Sequence, residues 1–472
     1  MSRVKETYDA VIIGAGIGGL VCGCYLAKAG MKVLICEQHS KPGGYCTSFK
    51  RQGFTFDAAA HSFGGYRNGP LGMIFKELEI DKKIKIRKFD PSDMIVTPDI
   101  KVFFWSDVDR TIREFQTIFP EETNNIKNFF SFVMNPDPMS FVRMRSQTFE
   151  DLLDHYFANN KLKAILSFPL FGNGGLPPSL MSAFIGTKIF KEFLLDGGYY
   201  PDGSIQTLPD ALAARFQELS GELWLSRTVR KIELKNKRVI GVVLEKDELI
   251  SSKYVVSNGD ARQTFLNLLG EKVIPRDFLH RINTMVPSLS AFILYLGLDN
   301  SFDELPEPGI NIWLLSHYDL HKTYLSAQKG DFNKIGGYLV HVSPDKKSIL
   351  AFMNVTFKNK NYWKKKNKTN LLESIIKRIE KDAIPGLSKH IVYKDAATPH
   401  TLYRYTRNYK GAAYGWACIP SQLADPDFKK PSFIRGLYLT GHWTTQGLGI
   451  PGVTYVGYDT AKCITKLYNK TV

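Results

Sequence analysis

The sequence is poor in cysteine, and none of its cysteines stands where chemistry would need it. Cys22, Cys24, Cys36, Cys46, Cys418 and Cys463 are the six in 472 residues, and no two make a C-x-x-C pair. A disulfide scaffold and a dithiol redox centre are thereby excluded, and no metal site is expected. Cys22 and Cys24, two apart in an expected helix, point different ways and read as packing residues. Apolar runs long enough to span a bilayer are also missing. The opening MSRVKETYDAVIIG enters a glycine motif with no small-residue cleavage site before it, so the expected location is the cytoplasm or the face of a membrane. There is no repeat, coiled coil or low-complexity tract. No nucleic-acid-binding module accompanies the formal charge of +16, and nucleic acid is not an expected partner.

What is present begins with size: 472 residues with 44% hydrophobic content exceed one simple core and imply two or three domains. Basic residues concentrate in DKKIKIRK (Asp81 to Lys88) and KNKNYWKKKNK (Lys358 to Lys368). Runs of one charge usually lie in water. The second run also holds Tyr362 and Trp363, and aromatic plus basic residues suit a headgroup layer, so a peripheral membrane contact is the alternative reading.

The chain then opens on a nucleotide motif. YDAVIIG (Tyr8 to Gly14) reads as a buried parallel strand, and GAGIGG places Gly14, Gly16 and Gly19 at the G-x-G-x-x-G positions, with Gly18 beside them. The spacing gives a tight turn, a backbone open to pyrophosphate and a close helix–strand contact, with the helix N-terminus facing the phosphates. The helix runs to Gly30, and MKVLICE forms a second strand ending at Glu37. Glu37 is placed to accept hydrogen bonds from ribose hydroxyls, favouring a free 2'-OH. The motif alone does not distinguish FAD from NAD.

Next come Gly43-Gly44, then G-F-x-F-D (Gly53, Phe54, Phe56, Asp57) and His61. This stretch resembles the flavoprotein superfamily of phytoene desaturases, carotenoid isomerases and retinol saturases, with Ala59 where the family usually has glycine. The resemblance continues through Gly197, Gly198, Tyr199, Pro201, Gly203 and an expected helix from Leu208 to Leu219. A strand reaching Val229 follows, whose backbone in the family touches the adenine. KKIELKNKRVIGVVLE reads by itself as a β-hairpin turning at Lys235 to Lys237, followed by a strand at KYVVSNGD. Near the end, GLYLTG (Gly436 to Gly441) leads through His442 into a glycine-rich turn with Gly447, Gly449, Ile450, Pro451, Gly452 and Val453 ahead of a helix. In the family this turn lies under the flavin, where helix amides stabilise the reduced ring. His442 contacts either phosphate or ribityl oxygen, or is simply packed.

The resemblance implies an α/β chain: a Rossmann-like FAD-binding domain of the GR2 flavoprotein type with a mixed α+β substrate domain and a helical lid. The FAD domain is expected to be discontinuous, over 1–88, 197–260 and 397–472, with 89–196 and 261–396 forming the substrate domain. Within the latter, LSAFILYLGLD, IGGYLVHVS and SILAFMNVTF read as buried strands. Phe149, Leu152, Leu153, Tyr156 and Phe157 fall at helical spacing and line either an apolar channel or a core. The implied activity is dehydrogenation of a long polyisoprenoid by hydride transfer to flavin N5, with oxygen or a quinone as oxidant. Saturation and cis-trans isomerisation with reduced FAD are alternatives. Candidate proton acceptors are His61, and Arg143, Arg145 and Asp151 from a helix resembling the family's active-site wall. Two further readings stand beside these: a non-enzymatic prenyl-binding protein sharing the fold of GDP-dissociation inhibitors, and amine oxidation, which calls for an aromatic cage in which Trp416 and Trp443 are the candidates.

Overall fold

The computed structural model of the chain describes residues 5–299, 302, 305–423, 425–444 and 447–470. They build two seven-stranded sheets. The first sheet starts from the strand Lys5–Ile13, which pairs in parallel with Val33–Cys36. Parallel neighbours need a crossover, and the helix Ile17–Lys28 supplies it. Every residue of that helix from Ile17 to Ala27 is buried. It is apolar all round because the helices Thr207–Glu218 and Gly449–Tyr468 pack against it.

On the other side of Lys5–Ile13 lies the parallel strand Leu249–Ser257, whose start pairs with Arg238–Leu244 and whose last three residues pair with Leu437–Leu439. Val229–Lys235 and Arg238–Leu244 form the expected hairpin. Asn236 and Lys237 at its tip both have positive φ, 51° and 57°, the twist of a two-residue turn that matches strand twist. Residues 261–285, grouped above with the substrate side, pack instead into the core of this sheet. Phe265, Leu269, Phe278 and Ile282 share one cluster with Val11, Leu34 and Val255. Sequence distance from the glycine motifs hid that placement.

The second sheet has the order Ile391–Ala397, Ser290–Leu298, Ser348–Val355, Gly337–Val342, Asn311–Leu315, Asp93–Val96, Lys101–Phe104. Its central strands are buried along their whole length. Alternation explains why both faces are apolar. Phe292, Leu294 and Leu296 join Leu372, Ile375 and Ile379 of the helix Lys365–Asp382. Ala291, Ile293 and Tyr295 point the other way, into a core shared with the helices Val108–Ile118, Thr123–Met134, Phe149–Tyr156 and Asn160–Gly174. Phe149, Leu152, Leu153 and Phe157 are fully inside that core, with Tyr156 at its edge, so this stripe is packing and not an open channel wall.

Candidate functional site

The two glycine motifs, at opposite ends of the sequence, meet. A Cβ placed on Gly18 would stand 3.1 Å from the backbone nitrogen and Cα of Gly441 and 2.9 Å from Asn258 Oδ1. A side chain there would have to push Asn258 or the Gly441 backbone aside. The Asn258 amide also lies against Gly16, Gly19 and Gly441, and Asn258 Nδ2 reaches the Gly14 carbonyl at 3.4 Å. Asn258 thus stands where the two turns come together. In sequence Asn258 is only the end of the strand KYVVSNGD; an asparagine closing a parallel strand beside a glycine turn is the signal that marks it.

Gly43 and Gly44 close the cradle from a third direction. Gly43 bridges to Gly16 and donates to the Ala15 carbonyl at 2.9 Å. The helices that follow the two turns, Ile17–Lys28 and Gly449–Tyr468, both begin without a side-chain cap, which leaves first-turn N–H groups free for an anion. Ile450, Pro451 and Gly452 are buried at the second helix start, Val453 is half-buried and Gly449 is exposed. Thr440 Oγ1 and Thr454 Oγ1 are buried there without partners among the described residues. Glu37 is buried at the end of its strand, its Oε2 accepting from Ala15 N at 2.7 Å and its Oε1 from His39 N at 2.9 Å. Arg227 N donates to the Glu37 carbonyl, which brings the buried Val229 alongside. A dinucleotide with its adenosine end at Glu37 and its ring end at the C-terminal turn fits this arrangement of uncapped helix ends, Cβ-free backbone and orphaned hydroxyls.

His442 sits at the second turn, 5.9 Å ring to ring from Tyr45, and burial pushes its imidazole down to about 4. His61 lies at the same end. The chain at Gly65 passes Pro451, 3.4 Å from a Cβ built on Gly65. His61 is buried at 5% exposure, with neither ring nitrogen in hydrogen-bond geometry. Burial lowers it to about 4, and the nearby Ala59 carbonyl only partly opposes the shift.

Arg143, Arg145 and Asp151 are not part of this constellation. Arg143 is exposed and holds Ser140 Oγ at 2.9 Å and Asp137 at 3.8 Å. Arg145 is also exposed. Asp151 closes a capping box with Thr148 at the start of Phe149–Tyr156. An acid three residues after threonine is a capping signature before it is a catalytic one. The membrane reading of Lys358 to Lys368 loses Trp363, while Tyr362 stays half-buried. Trp363 is buried and stacks on Phe332 at 5.4 Å and Phe292 at 5.3 Å. In DKKIKIRK, Lys82, Lys83 and Arg87 pair with Glu79, Glu218 and Asp202 on the surface. Trp416 and Trp443 meet edge to face at 4.9 Å, both buried, and leave no slot for an amine between them. All six cysteines are free, and Cys22 and Cys24 are fully buried. Among the described residues no group of side chains could hold a metal ion.

Comparison with known proteins agrees with this geometry. The chain is similar to all-trans-retinol 13,14-reductase of Danio rerio (26% identity, covering 93% of this chain and 83% of the relative). It is similar to prolycopene isomerase 2 of an Oncidium hybrid cultivar (28%, 96% and 83%) and to the lycopene-forming phytoene desaturase of Pantoea ananas (24%, 94% and 96%). These names lend no support to a non-enzymatic prenyl carrier. In fold it is similar to an oxidoreductase from Methanosarcina mazei, with a TM-score of 0.71 at 17% identity over 97% of this chain and 100% of the other. Residues 17–465 match the family described as flavin containing amine oxidoreductase. With a parallel nucleotide sheet, two converging glycine turns and that match over nearly its whole length, the chain belongs to the flavin-containing amine oxidoreductase family and is an FAD-dependent oxidoreductase.

Proposed function

We propose that this enzyme moves hydrogen on a long polyisoprenoid, with phytoene-type desaturation as the leading direction. The observation that carries this is the apolar surround of His61. The His61 ring lies 5.4 Å from Phe352 and 6.2 Å from Phe193, and Phe49, Phe54, Phe56, Tyr295 and Tyr393 pack as an aromatic group in the same apolar core. Such surroundings suit a hydrocarbon and give a charged amine nothing to pair with. Bound FAD supplies two-electron hydride chemistry. The protein's share is to hold the cofactor along Gly14 to Gly19, Glu37, Gly43-Gly44, Val229 and the turn from Gly441 to Val453, to keep water out, and to move the accompanying proton. In this reading 1–88, 197–260 and 397–472 carry FAD, while 89–196 and most of 261–396 face the substrate. Saturation and isomerisation stand as second readings because the reductase and isomerase relatives cover the chain as fully as the desaturase does. Oxygen or a quinone is the proposed oxidant.

The test is incubation of the yellow holoenzyme with a C30 or C40 polyene precursor in liposomes, under oxidising and under reducing conditions. Longer conjugation in the product establishes desaturation. Shortened or merely isomerised conjugation moves the assignment to the saturase or isomerase reading, and no change in any polyene overturns it.

We also propose a peripheral membrane contact, at a different place from the one read in the sequence. Among the described residues no helix is long and apolar enough to cross a membrane. The short helix Pro138–Met144 exposes Met139 (66%), Phe141 (41%) and Val142 (61%) beside the exposed Arg143 and Arg145. Apolar side chains flanked by arginines match an anionic lipid surface. Phe141→Ser with Val142→Ser is expected to cut sedimentation with anionic vesicles several-fold while leaving the FAD spectrum intact. Unchanged sedimentation would remove this helix from the contact.

A further inference from the structure

A row of polar side chains crosses the second sheet beneath His61. Asp93, Asn311 and His341 stand on three adjacent strands, and the register pairs Asn311 directly with Asp93 on one side and His341 on the other. All three are buried, at 0%, 0% and 4% exposure. Asn311 Nδ2 donates to Asp93 Oδ1 at 3.0 Å and to Ser62 Oγ at 3.1 Å, and Trp313 Nε1 donates to the same Asp93 oxygen at 2.8 Å. Asn311 Oδ1 is therefore left as an acceptor, and it meets His341 Nδ1 at 3.0 Å.

That contact fixes a tautomer. Facing an amide oxygen, His341 Nδ1 must carry the hydrogen, so the lone pair of the neutral ring is on Nε2. Nε2 is buried and has no partner among the described residues. The His61 ring lies 5.8 Å away, centroid to centroid, with both of its nitrogens also unpartnered. Three unsatisfied nitrogens on two neighbouring buried rings are unusual, because buried polar groups are ordinarily paired. Burial holds both rings neutral, His61 down to about 4 and His341, with its neighbouring ring adding to the effect, down to about 3. Two tyrosine hydroxyls in the region are committed. Tyr200, 6.2 Å from the His341 ring, gives its hydroxyl to Asp57 at 2.5 Å. The Tyr295 hydroxyl goes to the Ala58 carbonyl. Asp93 Oδ1 is tied to Asn311 and Trp313, while its Oδ2 is buried without a partner among the described residues and burial raises the carboxyl to about 6. Glu192, whose carboxyl burial also raises, approaches the segment through its main-chain carbonyl at Gly64 and its Cβ at Gly65.

We propose that His61 and His341 form a two-histidine proton site at the flavin end of the pocket, in which His61 is the catalytic residue that takes or gives the proton at the substrate carbon. His341 is its positioning residue, accepting at Nε2 from a His61 N–H through one water. Asp93 and Asn311 hold His341 in that tautomer. The proton balance is simple. When a C–C bond becomes C=C, one hydrogen leaves as hydride to the FAD and the other leaves as a proton to the unprotonated nitrogen of His61; in saturation both travel the other way. His341 keeps the remaining His61 N–H engaged, so that the lone pair facing the substrate is the free one.

The inference rests on the hydrogen-transfer reading, and its test has a part that does not. In the FAD-loaded enzyme with 15N-labelled histidine, His341 is expected to show protonated Nδ1 and bare Nε2 from pH 6 to 8. His341→Asn keeps a donor for Asn311 but removes the acceptor, and should shift the His61 ring nitrogens. A His341 protonated at Nε2, or His61 signals indifferent to His341→Asn, overturns the pair whatever the substrate proves to be. With a polyene that the enzyme converts, His61→Gln should lower kcat by about 10²–10⁴-fold, the usual worth of a general acid or base. His341→Asn should lower kcat about tenfold or more and move the pH profile, with KM changed less than about twofold. Wild-type kcat in His61→Gln would remove His61 from the chemistry. Failure of every polyene, with the expected nitrogen signals intact, would count against the polyisoprenoid reading and leave the pair in place.

Discussion

At the scale of single residues, His61 and His341 are held where water does not reach, and His442 is partly withdrawn from it. His61, His341 and His442 are pushed down to about 4, 3 and 4 by burial, against about 6.5 for a free imidazole. The unfolded chain therefore binds more protons than the folded one below pH 6.5, and stability is lost as pH falls through that range toward 4. Each histidine contributes a loss of about 2 kcal/mol between pH 7 and 5 by this linkage. Asp93 and Asp260, raised to about 6 by burial, act in the opposite sense. Their stabilisation is full below the free carboxyl value and is lost as pH rises through 6, so they offset part of the effect. Denaturant unfolding at pH 7 and pH 5 separates the contributions. His61→Phe should shrink the wild-type loss by about 2 kcal/mol, and an unchanged difference would mean that His61 is accessible to protons in the folded state.

At the scale of elements, the helix Asn160–Gly174 shows how a sheet stabilises a helix that its own sequence would interrupt. Pro169 lies inside it and can give no N–H to the turn before. Side chains satisfy the carbonyls of the last turn that follows it. Asn173 Nδ2 reaches the Pro169 carbonyl at 3.0 Å, the Tyr414 hydroxyl reaches that of Gly172 at 2.6 Å, and Asn354, from the second sheet, donates to Phe171 and Gly172 at 3.0 and 3.1 Å. Asn354→Leu is expected to destabilise the protein by about 1–3 kcal/mol, measured as a lowered denaturation midpoint with unchanged slope. No loss of stability would show that Tyr414 alone holds the helix end. The periodicity of the sequence announced this sheet well, since Ser290–Leu298, Gly337–Val342 and Ser348–Val355 are uninterrupted apolar strands. It gave no sign of which helix covers which face, because a strand buried on both sides reads the same from either.

At the scale of the whole molecule, the nucleotide site joins the two ends of the chain. A Cβ on Gly457 would come within 2.5 Å of the Gly18 carbonyl and 3.2 Å of Val21, so the first and last long helices touch through glycine. Gly457→Val, though away from the turns themselves, should push these helices apart and weaken FAD retention at least tenfold while lowering the melting temperature. Full FAD content in that variant would show that the two turns are positioned by the sheet alone.

Local chemistry determined a large part of this protein. Gly14, Gly16, Gly19 and Glu37 sit within one strand–helix–strand unit, where short-range sterics and helix ends dictate the form whatever surrounds it. The C-terminal turn is equally self-contained. Only the tertiary structure decided what long-range packing controls: that Asn258 stands where the two turns meet, that residues 261–285 cover the nucleotide sheet, that Trp363 and the Trp416–Trp443 pair are core, and that Asp93, Asn311 and His341 line up beneath His61. Those four groups come from segments far apart in the chain, and their meeting depends on strand order and register. A one-residue slip in any of the three strands would turn its side chain to the opposite face.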